Sequence, residues 1–143
     1  MKKTGAILMI ALVLGSMTVF AQQKRAKADV PTAVKQAFQK EYPGTKVKWQ
    51  NENGKYEAEF EQNGNETSLL YDVNGNIEET EIEIQASQLP AESKKYVLKH
   101  KLGKITESAM ITKADGAVEY EAEVKGIDLI FDKNGNFIKK IKK

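Results

Sequence analysis

Two short runs place oxygen-bearing side chains where a cation could sit. YDVNGNI at 71–77 and FDKNGNF at 131–137 each set an aspartate, Asp72 or Asp132, two residues ahead of an Asn-Gly-Asn triplet. A calcium loop of the EF-hand kind needs oxygen ligands at positions 1, 3, 5 and 12 and glycine at position 6. Counted from Asp72, glycine falls at position 4 and position 6 is Ile77; counted from Asp132, position 12 is Lys143. Both runs therefore read as turns, and a looser cation contact by Asp72, Asn74 and Asn76 is the alternative.

Other candidate chemistry is sparse. Glu57, Glu59 and Glu61, and again Glu121 and Glu123, alternate along two strand-like runs. Paired carboxylates can do acid–base work, but only in a cleft that shifts one pKa, which an exposed strand ladder does not supply. His100, the single histidine, lies between Lys99 and Lys101 and reads as a solvated side chain. Ser68, Ser87, Ser93 and Ser108 occupy no nucleophile elbow, and no phosphate loop or dinucleotide fingerprint occurs. With no cysteine, thiol catalysis and thiolate metal sites are excluded. The expectation is a non-enzyme with no catalytic residues, no metal and no cofactor.

The elements that position these residues come in two copies. MKKTGAILMIALVLGSMTVFA, residues 1–21, has the basic start, apolar stretch and small-residue exit of a secretory signal peptide cut after Ala21. The apolar run is short of the roughly 20 residues of a membrane span, so no stable membrane insertion is expected once it is removed, and the mature chain is expected in the periplasm. Residues 22–28 read as a flexible N-terminal segment. Beyond them, Val30-Pro31, Gly44, YEAEF at 56–60 and Asp72 recur about 60 residues later as Leu89-Pro90, Gly103, YEAEV at 120–124 and Asp132. The units are 29–84 and 88–143.

Each unit opens with a helix. Pro31 suits its first turn, Val34, Phe38 and Tyr42 share a face at four-residue spacing, and Pro43-Gly44 stops it. The second helix runs from Pro90 to Gly103, with Tyr96, Val97, Leu98 and Leu102 less cleanly striped. The period then changes to two, punctuated by Asn53-Gly54, Asn63-Gly64 and Asn74-Gly75, and by Asp115-Gly116, Lys125-Gly126 and Asn134-Gly135. Such dipeptides suit two-residue hairpins with positive φ at both central positions. Three turns make four antiparallel strands per unit, near 45–52, 55–62, 66–73 and 76–84, then 104–113, 117–124, 127–132 and 136–142. The expected fold is α+β, a tandem repeat of two α-β-β-β-β units forming an antiparallel sheet with helices on one face.

Alternation assigns the faces. Tyr56, Ala58 and Phe60, with Trp49, Leu69, Tyr71, Ile82, Leu129 and Phe131, form the apolar side that the helices must cover. Lys46, Lys48, Glu57, Glu59, Glu79, Glu81, Glu83, Glu121 and Glu123 line the other. That side reads either as a solvated ladder of cross-strand charge pairs or as a platform for a partner. Charge is uneven along the chain: residues 22–50 carry seven basic and two acidic groups, 51–84 one and ten, 85–143 twelve and eight. The basic groups gather at the two ends rather than on one surface, which argues against nucleic acid.

The VPTAVKQAFQKEYPGTKVKWQ opening, the YEAEF strand and the DVNGNI and DKNGNF hairpins, in an exported chain of tandem α-β4 units, together resemble the PepSY-like, β-lactamase-inhibitor-like family of small periplasmic proteins. The resemblance spans 29–143. It implies helices on one face of a two-unit sheet and a curved open face that, in the inhibitor proteins, clasps an enzyme. By analogy Lys46, Lys48, Glu57, Glu59, Glu121 and Glu123 would bind an envelope or secreted protein, such as a protease. Two departures stand against a direct transfer: there are no disulfides, and no inhibitory contact motif can be matched. A small-ligand or cation carrier is the alternative function.

Overall fold

The computed structural model describes residues 29–142; the signal-peptide reading and the 22–28 segment lie outside the described residues. Eight strands form one sheet whose spatial order is the chain order: β1 (Lys48–Glu52), β2 (Lys55–Gln62), β3 (Asn65–Tyr71), β4 (Ile77–Glu83), β5 (Ile105–Lys113), β6 (Val118–Val124), β7 (Ile127–Asp132) and β8 (Phe137–Lys142). Helix α1 (Thr32–Glu41) precedes β1, and α2 (Ala91–Lys99) follows a short 3₁₀ turn (Ala86–Gln88) between β4 and β5. All neighbouring pairs are antiparallel, including β4 with β5 across the helical connection, where Glu81 opposes Ile111.

Pro31 and Pro90 sit one place earlier than expected. Each is the N-cap, with φ near −55° and ψ near 145° rather than helical angles. The missing proline N–H costs nothing there, while the Pro31 carbonyl accepts from the Lys35 amide at 3.1 Å and the Pro90 carbonyl from Ser93 Oγ at 2.6 Å.

Each helix covers its own half of the sheet. Val34 and Phe38 of α1 pack on Ala58, Phe60, Leu69 and Tyr71, with the Phe38 ring edge-on to Trp49 and Phe60 at 5.5 and 5.1 Å. Trp49 is thus a core anchor. Val97 of α2 packs with Leu89 on Ala122, Val124, Leu129 and Phe131. The weak stripe of α2 has a plain cause: Ser93 is buried in it, hydrogen-bonded to Pro90, whereas Leu98 points to solvent.

The six turns divide into two kinds. At Asn53-Gly54, Asn63-Gly64 and Lys125-Gly126 both residues have positive φ, as two-residue hairpins require. At Gly75, Gly116 and Gly135 only the glycine does, which corrects the expectation of one turn type. In the 72–76 and 132–136 loops the aspartate and the second asparagine exchange a backbone bond (Asp72 N to Asn76 O and Asp132 N to Asn136 O, both 2.9 Å), leaving a three-residue connection ending in a left-handed glycine. These two glycines also touch the helices. A Cβ on Gly75 would lie 3.0 Å from the Ala33 carbonyl, and one on Gly135 would lie 2.8 Å from the Ser93 amide nitrogen. The repeated Asn-Gly turn is the seat on which the first turn of each helix rests.

Gly116 shares the left-handed conformation but has open space around it. Gly116→Ala should therefore lose about 1–2 kcal/mol, the conformational cost alone, and Gly135→Ala distinctly more because the helix must also shift. Urea denaturation of the two variants checks the order; equal losses would refute the seating role.

Candidate functional site: the helix-free face of the sheet

The register gathers the outward residues of both units into one surface. Across β1 to β5 run Lys48, Glu59, Ser68, Glu81 and Ile111, each opposite the next. A second row pairs Ala109 with Glu121 and Glu121 with Ile130, and a third pairs Glu107 with Glu123 and Glu123 with Asp128. The face is not the solvated charge ladder that alternation suggests. Glu57, Glu59, Glu81, Glu121 and Asp128 are buried, as are Ser68, Leu70, Ala109, Ile111 and Ile130 among them.

Of the six residues assigned from sequence, Lys48 is exposed and bonds Glu59 Oε2 at 2.8 Å. Gln50 donates its side-chain amide to the other oxygen of Glu59. Glu57 accepts from Ser68 Oγ at 2.6 Å, and Glu123 from Thr106 Oγ1 at 2.9 Å. Glu121 lies buried opposite Ala109 and Ile130. Lys46 is exposed and precedes β1. The assignment to solvent-facing strand positions is thus corrected for Glu57, Glu59 and Glu121, which share a partly apolar, shielded patch.

Glu81 on β4 stands at the centre of this patch. It is fully buried, and neither carboxyl oxygen has a hydrogen-bond partner among the described residues. Burial holds its pKa well above the ordinary glutamate range, and the neighbouring carboxyls of Glu121, Glu57, Asp128 and Glu79 push it further up. Nearby cations are committed elsewhere: Lys113 bridges Glu79 at 2.7 Å and Glu119 at 3.5 Å. Asp128 was missed as a site residue, although its place between Ile127 and Leu129 puts it opposite the apolar parity. Leu70, Ile111 and Ile130 were missed because consecutive apolar residues, as in Leu69-Leu70 and Leu129-Ile130-Phe131, obscure the period of two.

The aspartate loops spend their ligands on themselves. Asp72 Oδ1 accepts from the Asn74 and Asn76 amides at 2.8 and 2.9 Å, and Oδ2 from Asn76 Nδ2 at 2.8 Å. Asp132 repeats this with Asn134 and Asn136. These bonds, the Asn76 and Asn136 side chains foremost, hold both carboxyls below their usual range. His100 caps α2, its ring tilted against that of Tyr96 with centroids 4.3 Å apart. At the junction of the units, a cleft of about 420 Å³ opens between Gly64, Glu83, Gln85, Ile105, Thr106 and Glu107. Beside these carboxylates, Glu66 is raised above its ordinary value by desolvation, then by Glu59, Glu83 and Glu107, against an opposing pull from Lys48.

A meandering eight-stranded sheet with one helix per half, both on the same side, defines a β-lactamase-inhibitor-like fold. The chain belongs to the PepSY-like family: the model described as "Putative beta-lactamase-inhibitor-like, PepSY-like" matches residues 19–79 and again 54–139, in keeping with the tandem repeat. Among solved structures, the chain is similar to a "putative periplasmic" protein from Bacteroides eggerthii at 15% identity and TM-score 0.70, covering 80% of this chain and 89% of that one. It is also similar to a BLIP-like protein from Bacteroides fragilis at 20% identity and TM-score 0.61, covering 80% and 86%. At these identities the likeness is one of fold. No curated protein matches the chain. Among the described residues no helix is long and apolar enough to cross a membrane.

Because the folded-state pKa of Glu81 is raised, its contribution to stability is complete below the unfolded value of about 4.3 and is lost as pH rises through the folded value. Around it lie Glu79 on β4, Glu57 on β2, Glu121 on β6 and Asp128 on β7, with Ser68 and Ile111 opposite. Glu81→Gln, which cannot ionise, should therefore be more stable than the parent at neutral pH, with the gap closing toward pH 4. Paired melting curves from pH 4 to 8 check this; a gap independent of pH would refute it.

Proposed function

We propose that this protein is a non-enzymatic, exported binding module that presents the helix-free face of its sheet to an envelope protein, in the manner of an inhibitor. The observation that carries the reading is the mixed composition of that face. Five acidic side chains, Glu57, Glu59, Glu81, Glu121 and Asp128, are drawn from both units and interleaved with Leu70, Ala109, Ile111 and Ile130. A face needed only for solubility would keep its charges in water, whereas apolar side chains interleaved with acids suit a protein surface of the opposite sign. The family's inhibitor-like fold and the periplasmic description of a structural neighbour support the same reading. A small ligand would look for an enclosed apolar pocket; the cleft at the unit junction is lined mostly by polar and acidic residues.

The test is capture of envelope proteins on immobilised residues 22–143, followed by titration of each retained protein. The double variant Glu59→Gln/Glu121→Gln keeps shape and removes charge, and Glu92→Gln on exposed α2 is the control. A partner should bind the double variant at least tenfold more weakly and the control unchanged, with affinity falling as salt rises. Binding insensitive to the double substitution would overturn the assignment of the face.

A further inference from the structure

We propose that the centre of the helix-free face is a receptor for one arginine side chain of the partner protein, seated on Glu81. This rests on the reading of that face as the binding surface and specifies what it recognises. The central strand places Glu81 between Ser68 on β3 and Ile111 on β5. Ser68 already donates its hydroxyl to Glu57, so it does not serve Glu81. Lys48 and Lys113, the lysines bound to carboxylates of this face, are held by Glu59 and by Glu79 with Glu119. Both Glu81 oxygens are left without a donor among the described residues, in a wholly buried position. A buried carboxylate in that state costs stability that a hydrogen-bonded cation would return.

The chemistry of the cation follows from the arrangement. A divalent metal needs several carboxylates converging on one point, and no group of three or more potential metal ligands among the described residues does so. A guanidinium needs only one carboxylate with both oxygens available, which it meets in a bidentate fork, while the surrounding acids Glu57, Glu121 and Asp128 add to the attraction. Leu70 and Ile111, buried on the same face, are the apolar side chains its aliphatic stem would meet once seated. Because Glu81 is wholly buried, seating the guanidinium requires the side chains around it to move aside. An ammonium would engage the same charge but only as a point, so lysine should be the weaker ligand.

The test uses blocked pentapeptides Gly-Leu-Arg-Leu-Gly, the lysine analogue and the uncharged citrulline analogue, titrated by NMR into residues 22–143 and into the Glu81→Gln and Glu61→Gln variants. Glu61 is an exposed carboxylate near the end of β2. The arginine peptide should bind the parent and Glu61→Gln alike, Glu81→Gln at least fivefold more weakly, and lysine and citrulline peptides should follow in that order. Melting of Glu81→Gln at or above the parent temperature keeps loss of binding distinct from loss of fold. Equal binding of arginine and citrulline peptides, or full binding by Glu81→Gln, would overturn the proposal. So would an arginine affinity that rises on deleting residues 22–28, since the occupant would then be this chain's own Lys24, Arg25 or Lys27. A captured partner lost from Glu59→Gln/Glu121→Gln but kept by Glu81→Gln would refute the arginine seat while leaving the binding face standing.

Discussion

The pairing of β4 with β5, from Glu79 opposite Lys113 to Glu83 opposite Ala109, turns two α-β4 units into one molecule. Without it, each unit would hold a four-stranded sheet with a helix on one side and an open edge on the other, and such edges invite other chains. With it, the two apolar clusters lie side by side under α1 and α2, and the eight strands follow in chain order. Because the seam is antiparallel and in register, the outward residues of β4 become neighbours of outward residues of β5 and, one strand further, β6.

That seam also creates the electrostatic problem on the far face. Each copy of the YEAE motif aims its glutamates away from the helices, which in an isolated unit would be an ordinary solution. Joined, Glu57 of one copy and Glu121 of the other both act on Glu81, with Asp128 and Glu79 adding to the same field. Burial among Leu70, Ala109, Ile111 and Ile130 removes the water that would otherwise screen them. The result is a stability cost concentrated at the middle of the sheet, a pattern associated with functional surfaces. The self-satisfied aspartate turns show the opposite economy: Asp72 and Asp132 have their hydrogen bonds met by their own loops, so the most conspicuous repeated motif is scaffolding.

Much of the fold was legible in the chain because its signals are local. The period of two, the Gly dipeptides and the Pro-to-Gly limits of the helices placed all eight strands within about three residues of their observed ends, and Val34 and Phe38 on the inner face of α1. The turn type at 72–76 and 132–136 was misjudged because the decisive bonds run from an aspartate side chain to amides two and four residues on, overriding the preference of the Asn-Gly pair. The stripe of α2 was obscured because a buried serine replaces an apolar residue there.

What the sequence by itself determined is the repeat, the strand count, the side on which each helix lies and the identity of the outward acids, since these follow from periodicity and turn chemistry over a few residues. Whether those acids meet water was decided by the tertiary structure. Glu57 and Glu121 lie far apart in the chain and look alike in composition to exposed Glu61; only strand pairing across the seam brings them together around Glu81 and excludes solvent. Alternation tells which way a side chain points, but the free energy of its charge depends on neighbours that only the assembled sheet supplies.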